Sequence, residues 1–164
     1  MDTNTKPRCA VLGYGSWATA IVKTLTVNHH HVDWLVLNDE IRESLKMRSR
    51  NPKYLPWCYI DQEFMTPSND INALVRNADI VILAMPSAFF KKFLEPLTES
   101  LADKIVVSAV KGIIPGDYLT IVEHMNRYYD IPMENLAVVT GPSHAEEVGQ
   151  CQLSYLTVAS ESKE

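Results

Sequence analysis

Cysteine is scarce in this chain, and the three cysteines present, Cys9, Cys58 and Cys151, are far apart in the sequence. They form no C-x-x-C pair, so the sequence favours neither a disulfide framework nor a zinc site, and we expect no metal. Three adjacent histidines at positions 29–31 do not change this expectation, because neighbouring residues in a turn cannot easily converge on one ion.

Basic residues are also few, with 15 Lys and Arg against 20 Asp and Glu and a formal net charge of −5. This balance argues against a nucleic-acid partner, because binding to phosphates along a strand needs a basic face. No apolar run approaches the length that spans a membrane, and the polar residues 1–8 contain no apolar core of a signal peptide. We therefore expect a cytoplasmic protein that is not inserted in a membrane.

The composition is typical of one globular domain, with 46% hydrophobic and 21% charged residues among 164. Short apolar runs alternate with segments of helical periodicity, which predicts a parallel sheet whose strands are buried on both faces. The predicted strands are residues 9–12, 32–37, 80–85, 105–110, 136–140 and 153–159. This pattern predicts an α/β fold with a Rossmann-type, doubly wound, mostly parallel six-stranded sheet. Residues 49–69, which contain three prolines, are expected to form a long irregular excursion.

The first predicted strand runs directly into a turn with Gly13, Gly15 and Ala18. Gly13 allows backbone geometry that a side chain would forbid, Gly15 lets a pyrophosphate approach the main chain, and the small Ala18 lets the next helix pack closely. The unpaired amides and the dipole at the start of that helix favour an anion. Such a glycine pair also occurs in ordinary tight turns, but the apolar strand before it and the helical period after it favour a dinucleotide site.

The end of the second predicted strand is where an acidic residue commonly binds the ribose of NAD. Asp39 follows this strand, after Leu37 and Asn38. The sequence is compatible with two roles for Asp39, as a ribose ligand or as the cap of the helix that follows.

Three further strand ends should meet at the same rim of the sheet, because ligands in such folds bind beyond the carboxyl ends of the strands. After the third strand, Pro86 breaks the strand and Phe89 could lie against a planar ring of the cofactor. After the fourth, Lys111 is either a solvated strand end or an ammonium that attracts a phosphate or a polar oxygen. After the fifth, a turn at residues 141–147 opens a helix whose free amides suit an anion or a carboxamide, and Ser143 is also compatible with a helix cap.

Five segments of the chain carry a family resemblance when they are taken together. They are residues 13–20 (GYGSWATA), 51–56 (NPKYLP), 86–87 (PS), 111–112 (KG) and 141–147 (GPSHAEE). In order and spacing they cover nearly the whole chain, and they resemble the NAD(P)-dependent glycerol-3-phosphate dehydrogenases.

The resemblance implies a role for individual residues of this chain. Ser16 and Trp17 would hold the cofactor phosphates through their main chain, and Ala145 would touch the nicotinamide end. Lys111 would contact both cofactor and substrate, with a positioning and electrostatic role rather than proton transfer. Together with the turns described above, the expected cofactor-binding residues are Gly13, Gly15, Ser16, Trp17, Pro86, Phe89, Lys111 and Ala145. The expected substrate-binding residues are Lys111, Gly141 and Ser143.

The implied reaction interconverts dihydroxyacetone phosphate and sn-glycerol 3-phosphate by hydride transfer with NAD(P)H, for glycerophospholipid synthesis, in a homodimeric enzyme. Enzymes of this family continue into an all-helical second domain that supplies a lysine as general acid or base. We expect that residues 1–164 are the dinucleotide-binding domain without that second domain, and that the chain alone is inactive. Leu37 stands where many bacterial relatives carry Arg or His near the adenosine 2′ position, which favours NAD over NADP.

Two other functions remain open at this point. The chain could be a stand-alone NAD(H)-sensing module that binds a protein partner. It could also be the cofactor half of a dehydrogenase that acts on another hydroxyl substrate.

Overall fold

Among residues 6–162, seven strands form a single sheet in the order β3-β2-β1-β4-β5-β6-β7. The computed structural model describes residues 6–162, so residues 1–5, part of the polar start of the chain, and residues 163 and 164 lie outside the described residues. Strands β1 to β6 are parallel, and β7 runs antiparallel to β6. The strands are β1 Cys9–Leu12, β2 Val32–Leu35, β3 Met65–Ser68, β4 Ile80–Leu83, β5 Ile105–Ser108, β6 Leu136–Thr140 and β7 Thr157–Ser160.

Helices connect the parallel strands and cover both faces of the sheet. They are α1 Ser16–Val27, α2 Asp39–Arg48, α3 Ile71–Asn77, α4 Phe90–Leu94, α5 Ile121–Tyr129 and α6 Ala145–Gly149. Short 3-10 turns lie at Gln62–Phe64, Ser87–Phe89 and Met133–Asn135. No helix among residues 6–162 is both long and apolar enough to cross a membrane.

The core is divided by the sheet into two clusters of buried side chains, because successive residues of a strand point to opposite faces. Ala10 and Leu12 of β1 pack into one cluster with Phe90 and Met125. Val11 packs into the other cluster, beneath α1 and α2. This burial on both faces is what the continuous apolar runs predict for a parallel sheet.

The predicted fold class is confirmed, but the sheet has seven strands rather than six. The additional strand, β3, lies inside the segment expected to be an irregular excursion. It is an edge strand, where the missing N–H of Pro67 is tolerated. The last strand begins four residues later than predicted, at Thr157, and all four of its residues are exposed.

Two helix caps also differ from the sequence-based expectation. The cap of α2 is Asn38, whose side chain accepts a hydrogen bond from the Ile41 amide, and Asp39 is the first residue of the helix. The N-cap of α6 is His144 rather than Ser143, and it makes no side-chain cap bond. In both cases a neighbouring residue occupies the extended conformation that a cap requires.

A buried histidine couples α5 to the segment after β5. His124 Nδ1 lies 3.0 Å from a carboxylate oxygen of Asp117, and the Lys91 ammonium donates to the other oxygen at 2.6 Å. Burial lowers the pKa of His124, and the nearby Asp117 carboxylate opposes this shift only in part. The hydrogen bond from Lys91 lowers the pKa of Asp117.

Candidate functional site

The carboxyl ends of β1, β4, β5 and β6 surround a cleft of about 490 Å³. Four segments meet there, as expected for ligand sites in open parallel sheets. The lining residues are Gly15, Ser16, Trp17, Ala84, Met85, Pro86, Ser87, Ala88, Ala109, Lys111, His144, Ala145 and Glu146. The structure therefore brings together four predicted cofactor residues that follow the first and third predicted strands, Gly15, Ser16, Trp17 and Pro86, and two from the opposite side, Lys111 and Ala145.

The two glycines of the first turn serve different physical purposes. Gly13 has φ +125°, and a Cβ placed on it would collide with the backbone carbonyl of Ala84. Gly13 thus permits the close approach of β1 and β4 and does not line the cleft. Gly15 has an ordinary φ of −76°, and a Cβ placed on it would have no heavy atom within 4 Å. Gly15 therefore keeps open the space in front of the helix.

Helix α1 begins at Ser16 and presents its N-terminus to the cleft. Its N-cap, Gly15, has no side chain that could bond to the amides of the first turn. The first amides of an α-helix have no intrahelical acceptor, so they are free to bind an anion with the favourable helix dipole. The open space at Gly15 and these amides fit a phosphate-bearing dinucleotide.

Two buried side chains that the sequence did not identify as site residues bind this turn from behind. Trp34 of β2 donates to the Gly13 carbonyl, and Asn51 donates to the Tyr14 carbonyl. Both side chains are fully buried. The segment expected to be an excursion therefore contributes directly to the geometry of the turn.

Lys111 follows β5 and lies between the cleft and a second cavity. Its ammonium is 6.0 Å from the centroid of the Trp17 ring, within range of a cation–π contact. Among residues 6–162 it has no carboxylate within ion-pair distance, so its charge is available to an anionic ligand.

The second cavity, of about 350 Å³, adjoins the cleft along Trp17, Ala109 and Lys111. Gly141 and Ser143, the predicted substrate residues, line it. Each also has a structural contact, because a Cβ on Gly141 would collide with the Tyr155 carbonyl and the Ser143 hydroxyl donates to that same carbonyl at 2.8 Å.

Phe89 and Asp39 lie outside the cleft lining. Phe89 ends a 3-10 turn and is 59% exposed. Asp39 is exposed at the end of β2 and forms an ion pair with Arg42, whose guanidinium also donates to the Val36 carbonyl at 3.0 Å. Leu37 is 42% exposed beside them.

Several cleft residues were not singled out from the sequence. His144 and Glu146 line the cleft from the start of α6, and Met85 lines it after β4. The sequence could have indicated that these residues line the cleft, because they follow strands β4 and β6 and the strand ends at this edge converge. Among residues 6–162 there is no group of three His, Cys, Asp or Glu side chains that could hold a metal ion.

An open parallel sheet with a glycine turn that leads into a helix at its carboxyl edge defines a Rossmann-type domain. The chain belongs to the family described as the NAD-dependent glycerol-3-phosphate dehydrogenase N-terminus, whose model matches residues 8–164. The family predicted from the sequence motifs is thereby confirmed.

Curated relatives agree with this family. Glycerol-3-phosphate dehydrogenase (NAD(P)+) of Pseudomonas syringae pv. tomato is 30% identical over 160 residues, which are 98% of this chain and 46% of that protein. The enzyme of the same name from Agathobacter rectalis is 34% identical over 145 residues, covering 87% of this chain and 42% of that protein. The chain spans about half the length of the curated relatives it matches.

Solved structures show the same fold. Glycerol-3-phosphate dehydrogenase from Coxiella burnetii aligns with a TM-score of 0.81 at 24% identity, covering 95% of this chain and 47% of that chain. The enzyme from Saccharomyces cerevisiae aligns with a TM-score of 0.82 at 24% identity, covering 94% of this chain and 48% of that chain.

Proposed function

We propose that this chain is the cofactor-binding part of an enzyme that interconverts dihydroxyacetone phosphate and sn-glycerol 3-phosphate with NAD or NADP. The observation that carries the proposal is the cleft in which the N-terminus of α1 faces Lys111 and Ala145, in a chain that matches the family over residues 8–164. When bound, the nicotinamide would supply or accept the hydride.

Cofactor binding is assigned to the turn at the end of β1 and to the facing segments. The main-chain amides of Ser16 and Trp17 bind the phosphates, with Gly15 leaving them room. Pro86 lies in the cleft wall opposite, and Ala145 lies where α6 begins. Phe89 would have to turn toward the cleft to contact the cofactor, because its side chain is exposed.

Substrate binding is assigned to the second cavity. Lys111 lines both cavities, so its ammonium can stabilise negative charge on the substrate beside the cofactor. Gly141 and Ser143 shape the opposite wall. The role of Lys111 is positioning and electrostatic stabilisation, and proton transfer is assigned to a group outside residues 1–164.

Residues 1–164 form the dinucleotide-binding domain, and the complete enzyme adds a helical substrate domain, in keeping with relatives of about twice the length. We place the complete enzyme in the cytoplasm, as a homodimer that serves glycerophospholipid synthesis. NAD is favoured over NADP, because Leu37 offers no charge to a 2′-phosphate.

Two assays on one preparation of the 164-residue chain test the proposal. NADH should bind in a calorimetric titration, because the phosphate-binding turn is wholly present, whereas NADH absorbance should not fall when dihydroxyacetone phosphate is added. Absence of NADH binding would refute the cofactor assignment. Robust turnover would place the proton-transfer group within residues 1–164 and refute its assignment to the second domain.

A further inference from the structure

The carbonyl groups of the turn after β1 are bound by side chains from the protein interior. Trp34 Nε1 donates to the Gly13 carbonyl at 2.6 Å, and Asn51 Nδ2 donates to the Tyr14 carbonyl at 3.0 Å. Both donors are fully buried, and neither side chain lines the cleft. The two carbonyls therefore face the interior, on the side away from the ligand.

Thr19 extends this arrangement to the third carbonyl of the turn. Its hydroxyl donates to the Gly15 carbonyl at 2.9 Å and accepts the second hydrogen of Asn51 Nδ2 at 3.0 Å. Thr19 is fully buried beneath the turn. The network thus runs from Asn51 through the Thr19 hydroxyl to Gly15.

Every hydrogen-bonding position of the Asn51 side chain is used, which fixes the orientation of its amide. Its Oδ1 accepts from the Lys53 and Tyr54 amides at 3.2 and 3.1 Å, while both Nδ2 hydrogens are donated. A flipped amide would place two acceptors against each other at Tyr14 and two donors against each other at Lys53. The donor to the Tyr14 carbonyl is therefore held in place.

A trans peptide unit converts these carbonyl contacts into directions for the amides. Within each planar unit, the C=O of one residue and the N–H of the next point in opposite directions. Binding the carbonyls of Gly13 and Tyr14 from the interior therefore directs the N–H groups of Tyr14 and Gly15 to the cleft side. The Gly15 carbonyl accepts from both the Thr19 amide and the Thr19 hydroxyl at 2.9 Å, and these two bonds direct the Ser16 N–H to the same side. A rotated peptide would instead present a carbonyl oxygen to a phosphate, where it would repel.

We propose that Trp34, Asn51 and Thr19 are positioning residues for the cofactor phosphates, because they orient the amides of the turn before any ligand binds. This inference rests on the proposed function. Preorganised donors do not have to be reoriented when the ligand arrives, so the affinity for a dinucleotide is higher than a free turn could reach.

Substitutions at Thr19 and Trp34 in the 164-residue chain test the inference. Thr19→Val keeps the shape of the side chain and removes the hydroxyl, whereas Thr19→Ser keeps the hydroxyl. Thr26→Val is the matched control, because the Thr26 hydroxyl is also buried in α1 and also donates to a helix carbonyl, that of Lys23, but lies at the far end of the helix. Trp34→Phe removes the indole N–H and keeps an aromatic ring.

NADH titrations should separate these variants. We expect the Kd for NADH to rise about tenfold in Trp34→Phe and about threefold in Thr19→Val, from the usual contribution of one hydrogen bond. Thr19→Ser and Thr26→Val should stay within about twofold of the parent chain, since the network remains intact. In ¹⁵N NMR spectra, the shifts that NADH causes in the Gly15 and Ser16 amides should shrink in Thr19→Val and not in Thr26→Val.

The outcomes distinguish this inference from the proposed function. If the parent chain binds NADH and folded Thr19→Val and Trp34→Phe bind it with the parent's Kd, the inference is wrong and the proposed function stands. If Trp34→Phe does not fold, the comparison of Thr19→Val with Thr19→Ser and Thr26→Val decides. If the parent chain binds no NADH, the proposed function fails and this inference fails with it.

Discussion

Replacing Gly15 by Val should abolish tight dinucleotide binding and leave the fold intact. A Cβ at this position has no heavy atom within 4 Å, and the φ of −76° suits any residue, so the folded chain can accept the side chain. Gly and Val differ as helix caps by about 1 kcal/mol or less, which is the expected loss of stability. The new side chain would occupy the space in front of the α1 amides.

The loss of affinity can be estimated from the bonds that the side chain would block. A hydrogen bond from an amide to a charged phosphate contributes about 1.5 to 3 kcal/mol, so the loss of two such bonds should raise the Kd for NADH roughly 100- to 20,000-fold. Gly15→Ala, with a smaller side chain, should give an intermediate loss.

Gly13→Ala should have the opposite effect to Gly15→Val, because it should lower the stability of the fold. Its φ of +125° and the collision of its Cβ with the Ala84 carbonyl predict backbone strain and overpacking that together cost about 2 to 5 kcal/mol. In a domain of this size that corresponds to a fall in Tm of roughly 4 to 20 °C. Calorimetric titration and thermal melts of both variants check the pair. Parent-like NADH binding by Gly15→Val would refute the assignment of this turn to the phosphates, and a large loss of stability in the same variant would refute the open space at Gly15.

Three further predictions concern charge. In the complete enzyme, Lys111→Ala should lower kcat/KM for the phosphorylated substrate, with a loss of about 2 to 4 kcal/mol of transition-state stabilisation. Parent-like kinetics would show that Lys111 is only a solvated residue at a strand end. Burial lowers the pKa of His124 in the folded chain below about 6.5, the pKa of a histidine in the unfolded chain, so protonation favours unfolding. The free energy of unfolding should therefore fall as the pH is lowered from 7 through about 6.5. Urea titrations at pH 7 and pH 5 measure this slope, which should flatten in His124→Gln; an unchanged slope would contradict the role of His124. Leu37→Arg should improve the affinity for NADPH relative to NADH by roughly 3- to 10-fold in paired titrations, and no change would place the 2′ position elsewhere.

The first residues of the central strands could be predicted because their apolar runs begin sharply, although β2, β4 and β5 each end two residues earlier than predicted. Strand β1 begins after the charged Arg8 and ends before Gly13, and its predicted bounds are those observed. Strand β3 gave no such signal, because Thr66, Pro67 and Ser68 carry neither apolar alternation nor β-forming side chains other than threonine. Its position is determined by pairing with β2, which a local pattern does not contain.

The residues that line the cleft could be predicted where they closely follow strands, as Gly15 and Lys111 do. Trp34 and Asn51 were not, since their bonds to the turn span 21 and 37 residues. From the sequence alone, a tryptophan inside an apolar strand cannot be distinguished from an ordinary core residue. Its single N–H reaches the Gly13 carbonyl only when β1 and β2 are paired. Long-range hydrogen bonds of this kind depend on the completed fold.

The central position of β1 has a consequence for the folding of the chain during synthesis. One neighbour, β2, is made soon after β1, but the other neighbour, β4, pairs Ile80 with Cys9. At about 5 to 20 residues per second, a ribosome takes roughly 4 to 14 s to make the intervening segment of about 70 residues. During that interval one edge of β1 has no partner and could pair with another nascent chain. The strand that leads into the glycine turn is thus the strand most dependent on uninterrupted synthesis as far as residue 83.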